Sequence, residues 1–250
     1  MKNIIIVGDS YAFGHGCSDR ESYIDPITKK HVGSMELLNG PPSGNCWGSL
    51  IQRDYPDFNV INLSYSGDSN TRMIQRLFTQ VEITKPDLII FSGTGVFRMA
   101  TANWHGPKGE PLANWVLNDQ YSNVPGYIAK ARESFVRYLF SPAVFISNSM
   151  MAVYAAYGIA KHYGAKIMWS LPVGDYCYKP EYDVSGLDEF SQELDFNLSA
   201  ISNCRYTPHL EFMSKVGTEG RAIDGHFNDY GHYIYYRDVI LPKLKETIGI

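Results

Sequence analysis

Clustered positive charge is scarce in this chain. No run of Lys or Arg exceeds two residues, and 22 basic against 26 acidic side chains in 250 residues leave a formal charge of −4. A nucleic-acid partner, held mainly through phosphate contacts, is therefore not expected. Cysteine is sparse as well. The four present, Cys17, Cys46, Cys177 and Cys204, contain no C-x-x-C pair, which argues against a zinc site or a redox dithiol and makes reduced thiols the expectation. Long apolar runs are lacking too. Ile4-Ile5-Ile6-Val7 is too short for a signal-peptide core, and the apolar stretch 143–160 is interrupted by Ser147, Asn148 and Ser149. No targeting segment and no membrane partner are expected, and a cytoplasmic location follows. Gly8, Gly14 and Gly16 make the first loop glycine-rich, but neither G-x-G-x-x-G nor a Gly-Lys-Ser/Thr end is present, so nucleotide binding is disfavoured.

What is present reads as a folded protein, with 44% hydrophobic and 19% charged residues. Four short apolar runs, at 3–7, 59–63, 88–91 and 166–171, are apolar on both faces and end in small or turn-forming residues. They predict buried parallel strands. Helix-period stretches lie between them. In residues 71–83 Met73, Ile74, Leu77, Phe78 and Val81 share a face before Lys85-Pro86, and 142–163 runs up to Gly164. Alternating strands and helices predict an α/β fold: a three-layer α/β/α sandwich around a mainly parallel sheet of about five strands. Two stretches, 17–45 and 98–125, do not fit the repeating unit and are expected as loop insertions on the rim of one mouth. With no linker, repeat or low-complexity tract, residues 1–250 are expected to form a single domain.

Chemistry is concentrated at the two ends of the chain. Gly8-Asp9-Ser10 follows the first run, where a serine on a tight turn would expose its hydroxyl at the carboxyl edge of the sheet and offer its N–H to an oxyanion. Taken alone it is more often an ordinary turn. Asp224-Gly225-His226-Phe227-Asn228 supplies a histidine able to act as base, with an acid close by.

These segments together resemble the SGNH, or GDSL-type, hydrolases. Gly8-Asp9-Ser10 resembles the family's nucleophile block, with Tyr11 where Leu is frequent. Asn62-Leu63-Ser64-Tyr65-Ser66-Gly67 is similar to the second block, and Asp224-Gly225-His226-Phe227-Asn228 to the last one. The resemblance implies a flavodoxin-like SGNH hydrolase fold and ester hydrolysis without metal or other cofactor. Ser10 would be the nucleophile, His226 the base and Asp224 its acid, with the N–H groups of Ser10 and Gly67 in the oxyanion hole. Two positions depart from the pattern. The third block, Gly-x-Asn-Asp in the family, reads Gly93-Thr94-Gly95-Val96 here, and Asp224 precedes His226 by two residues instead of three. Asn70 is the candidate to replace the lost oxyanion donor, against the alternative of a solvated first-turn Asn. The spacing Asp229-x-x-His232 is read as structural because His232 should fall inside the last helix. Ser69 is read as a helix cap with Asp68 beside it.

Substrate-binding candidates are Arg98, Trp104 and Trp115 on the second insertion. Loop aromatics more often pack a loop onto its body, and Arg98 equally makes a salt bridge. The functional expectation is a serine esterase that removes a short acyl group, acetyl foremost, from a small-molecule or glycan ester. The alternative is an SGNH-like module of little or no activity that binds carbohydrate or is structural. Nothing in the sequence assigns an oligomeric state.

Overall fold

The computed structural model describes residues 1–19, 23–24, 31–32, 40–95, 98–102, 112–116, 142–172, 199–222 and 225–250. Its strands are β1 (Lys2–Gly8), β2 (Tyr23–Ile24), β3 (His31–Val32), β4 (Phe58–Asn62), β5 (Leu88–Ser92), β6 (Arg98–Ala102), β7 (Leu112–Val116) and β8 (Lys166–Ser170). Its α-helices are α1 (Ser10–Phe13), α2 (Trp47–Asp54), α3 (Asn70–Thr84), α4 (Pro142–His162), α5 (His209–Val216), α6 (Asp229–Tyr235) and α7 (Leu241–Ile248). A π-turn, Tyr236–Ile240, joins α6 to α7.

β4, β1, β5 and β8 form one parallel sheet in that order, with Ile5 opposite Ile61 on one side and Ile89 on the other. Side chains alternate across β1, so Ile5 and Val7 enter the layer with Met73, Leu77 and Val81 of α3 and Val153 and Ala156 of α4. Ile4 and Ile6 enter the opposite layer with Trp47 and Ile51 of α2, Tyr235 of α6 and Leu244 of α7. Both faces of the central strands β1 and β5 are covered, which is why these read as apolar runs. Each fully buried Ile of β1 contributes roughly 1.5–3 kcal/mol of transfer free energy.

Local chemistry sets the helix ends. The Ser69 hydroxyl accepts from the Arg72 N–H at 3.4 Å to start α3, and Lys85, at φ +46°, stops it before Pro86. Gly164, at φ +68°, ends α4 in a Schellman turn, with Ala165 N–H to Ala160 O at 2.8 Å and Gly164 N–H to Lys161 O at 3.3 Å. β8 follows within two residues.

Two expectations need correction. Among the described residues the sheet has four strands rather than about five. Outside β8 the place of a fifth is taken by a single parallel bridge, Trp169 to Arg205, with the Tyr206 N–H donating to Trp169 O at 2.9 Å. Pro208, with no N–H to donate, then starts α5 and ends any extension. The insertions are also more than loops, because each contains an antiparallel pair: β2 with β3 in the first, β6 with β7 in the second. The two ends of the first insertion are fastened together where Ser43 Oγ and Gly44 N–H donate to the Asp19 carboxylate at 2.5 and 2.9 Å.

Candidate active site

At the carboxyl end of β1 the chain turns sharply into α1. Gly8 permits the turn, since a Cβ there would stand 2.5 Å from Ala12 Cβ and 3.0 Å from Ser92 Cβ. Asp9, 1% exposed, caps the helix: Oδ1 accepts from the Tyr11 N–H at 3.0 Å and Oδ2 from Thr94 Oγ1 at 2.7 Å. Ser10 is thus the first helical residue. Its carbonyl accepts from the N–H groups of Gly14 and His15 at 3.0 and 2.9 Å, and Gly14 closes the helix at φ +84°.

His226 arrives from the far end of the chain. Its turn is closed by Ala222 N–H to His226 O at 2.8 Å and Gly225 N–H to Ala222 O at 3.0 Å, with Gly225 at φ +86°. Phe227, fully buried, anchors the next residue, and Asn228 caps α6 by accepting from the Gly231 N–H at 3.0 Å. The consequence is a separation of 2.8 Å between His226 Nε2 and Ser10 Oγ, across 216 residues of sequence. In the tautomer with its proton on Nδ1, the imidazole accepts the serine proton at this distance. Two rings pack on it, Tyr11 at 4.8 Å and His15 at 4.6 Å between centroids.

The second block stands beside this pair. Leu63 N–H to Ile6 O at 2.8 Å and Tyr65 N–H to Gly8 O at 3.1 Å fasten it to β1. The Asp68 N–H then donates to Tyr65 O at 3.2 Å, closing a four-residue turn whose third residue, Gly67, has φ +85°. That is the position at which a type II turn requires glycine. His15 Nδ1 lies 2.9 Å from Ser66 Oγ, linking the turn to the nucleophile loop.

Asn70 does a different job from the one expected. Its Nδ2 donates to Thr94 O at 3.1 Å and to Ser149 Oγ at 3.0 Å, and its Oδ1 accepts from the Thr94 N–H at 2.9 Å. Both amide hydrogens are committed, so neither is available to an oxyanion. The reason is burial: Asn70 is 4% exposed and beside it the Thr94 backbone needs partners. Asn70 therefore clamps the end of β5, and Thr94 in turn holds Asp9.

Asp224 and Trp104 lie outside the described residues. Arg98 and Trp115 sit on the β6–β7 ribbon, paired with Val116 and Met99, and their side chains also lie outside the described set. His232 falls within α6, fully buried, with Nδ1 3.4 Å from the Trp47 N–H. Burial first, and the neighbouring His226 second, push its pKa down to about 3. Asp229 accepts from Ser18 N–H at 2.9 Å, Ser18 Oγ at 2.6 Å and Asn45 Nδ2 at 3.2 Å, pinning the first insertion to α6. Among the described residues no group of His, Cys, Asp and Glu is arranged to hold a metal ion, and no helix is long and apolar enough to cross a membrane. His15 and Thr94 were not singled out from the sequence. The signal for His15 was the Gly14-His15-Gly16 triplet after the nucleophile, which reads first as a nucleotide-loop fragment.

No protein-family model and no curated protein sequence matches the chain. Solved structures do. The psychrotrophic esterase EstA from Pseudoalteromonas sp., in a form inhibited by monoethylphosphonate, is similar at TM-score 0.55 and 13% identity, covering 98% of each chain. A carbohydrate esterase family 2 enzyme with a carbohydrate-binding domain, from Corynascus thermopiles (Myceliophthora fergusii), is similar at 0.54 and 16% identity, covering 100% of this chain and 67% of that one. TesA is similar at 0.53 and 17%, covering 98% of this chain and 99% of that one. At such identities the likeness is one of fold.

Proposed function

We propose that this chain, which has the fold of the GDSL-type hydrolases, is a serine esterase acting on short acyl esters. The observation that carries the reading is the 2.8 Å contact between Ser10 Oγ and His226 Nε2 at the carboxyl edge of a parallel sheet. Ser10 Oγ attacks the ester carbonyl carbon while His226 Nε2 takes its proton, giving a tetrahedral oxyanion. The N–H groups of Ser10 and Gly67 receive that oxyanion. Collapse expels the alcohol, which regains a proton from His226, and water then repeats the sequence on the acyl-serine. Asp224 is the acid proposed to orient the imidazole. Two structurally similar proteins are named as an esterase and a carbohydrate esterase, so acetylated carbohydrate is the substrate class to try first, with Arg98, Trp104 and Trp115 as contacts from the second insertion.

The test is hydrolysis of p-nitrophenyl acetate together with labelling by a fluorophosphonate. Ser10→Ala is expected to lower turnover by more than about a thousandfold and to abolish the covalent mass increase. Equal turnover in wild type and Ser10→Ala refutes the reading. A second reading, a weakly active or inactive carbohydrate-binding module, is favoured by one observation: Gly95 stands where the family carries its oxyanion Asn, and the Asn70 amide is committed elsewhere. Binding of acetylated xylan by the wild type without product formation is the outcome that selects it.

A further inference from the structure

We propose that His15 is a positioning residue that sets the base and the oxyanion turn in one shared arrangement; the proposal rests on the serine-esterase reading above. Three contacts converge on this one residue. Its N–H donates to Ser10 O at 2.9 Å, so it is tied to the nucleophile turn. Its Nδ1 lies 2.9 Å from Ser66 Oγ, the residue before Gly67, so it is tied to the turn whose N–H receives the oxyanion. Its ring stacks on the His226 imidazole, 4.6 Å between centroids and 23° between planes, so it is tied to the base.

His15 is itself held firmly enough to pass on a position. Gly14 on one side adopts φ +84°, and a Cβ there would stand 2.7 Å from Cys46 Cβ and 3.2 Å from Cys17 Sγ. On the other side Gly16 backs onto the Phe227 carbonyl, and a Cβ at Gly16 would come 3.0 Å from His226 Cβ. The loop cannot slide without displacing buried atoms. His226 pivots about two side-chain torsions, and the rings of Tyr11 and His15 limit them. Ser66, on a turn with a flexible glycine, is fixed by the imidazole hydrogen bond. Without His15 the base and the Gly67 N–H drift independently, and a misplacement of about 1 Å in such a constellation costs about a hundredfold in rate.

The two kinds of contact separate by substitution. His15→Asn keeps a polar group at the δ position for Ser66 but loses the stack, whereas His15→Phe keeps the stack and loses the hydrogen bond. On p-nitrophenyl acetate, His15→Ala is expected to lower kcat by roughly 10–100-fold with KM within about twofold of wild type. His15→Asn and His15→Phe should each recover part of that loss, and neither all of it. Unchanged kcat in His15→Ala, alongside an inactive Ser10→Ala, overturns the proposal, as does a rise in KM alone. Thermal melting of each variant identifies a general loss of fold, and recovery in the two conservative variants argues against it. If wild type and Ser10→Ala hydrolyse the ester equally, the esterase reading is what fails, and NMR of the His226 ring protons still reads His15. Their ring-current shift should move in His15→Ala and return in His15→Phe; no movement overturns the packing role.

Discussion

A buried amide separates two jobs that look the same in a sequence. If Asn70 stabilised an oxyanion, Asn70→Ala would cost roughly 2.7–4 kcal/mol of transition-state stabilisation and leave the fold intact. In the structure the amide instead satisfies both Thr94 backbone groups and the Ser149 hydroxyl. Its removal leaves buried donors and acceptors unpaired, at about 1–3 kcal/mol each. We therefore expect Asn70→Ala to lower the urea midpoint, with turnover falling only as Thr94 loosens its grip on Asp9; an unchanged midpoint with turnover down a hundredfold would restore the oxyanion role. Ser10 and His226 were readable because each sits in a short motif whose neighbours are turn residues. The Asn70 partner was not, because Thr94 belongs to another strand end and only the fold brings them together. His15 was hidden for the same reason: both its partners, Ser66 and His226, are distant in sequence.

Among elements, the strands and long helices were the most legible. The runs expected at 3–7, 59–63, 88–91 and 166–171 appear as Lys2–Gly8, Phe58–Asn62, Leu88–Ser92 and Lys166–Ser170; the central β1 and β5 are buried along most of their length and so read as apolar runs, whereas the edge strand β4 is only partly buried and carries Asn59 and Asn62. Among the described residues Arg205-Tyr206-Thr207-Pro208 adds only a bridge beside β8, because it has neither such a run nor an N–H at its end. The glycines of the first loop were visible, but their cause was not. They serve close packing: Gly8 lets the end of β1 meet α1 and β5, and Gly95, by contrast, has no described residue within 4 Å of a built Cβ. Gly8→Ala should accordingly push α1 off the sheet, costing about 1–3 kcal/mol of stability and most of the activity. Gly95→Ala is the matched control and should keep its melting temperature. Equal melting temperatures for the two variants would mean that the turn after β1 yields easily, contrary to the packing described.

For the whole molecule, the buried His232 links stability to pH. From α6 it faces the start of α2, edge-on to Phe227 at 5.7 Å and fully buried, where a charged imidazole would lose its solvation. Its folded pKa is pushed from the ordinary 6.5 down to about 3. Between those values the unfolded chain binds a proton that the native chain refuses, so the contribution is fully present above about pH 6.5 and is lost as pH falls toward 3. The slope approaches on the order of 1 kcal/mol per pH unit. His232→Phe removes the titration and keeps an aromatic ring beside Phe227. It also leaves the Trp47 N–H without its 3.4 Å acceptor, at about 1 kcal/mol. Urea unfolding at pH 7 should therefore find the variant slightly less stable than wild type, and the order should reverse near pH 4.5. Other groups, Asp229 among them, titrate in both proteins and largely cancel in the difference. Because the isoelectric point, about 6.0, lies inside the window, dilute protein is needed to keep association from masking the crossing. Two stability curves that stay parallel from pH 7 to 4.5 would show that His232 is protonated in the native state, and that α2 and α6 leave room around it for a charge.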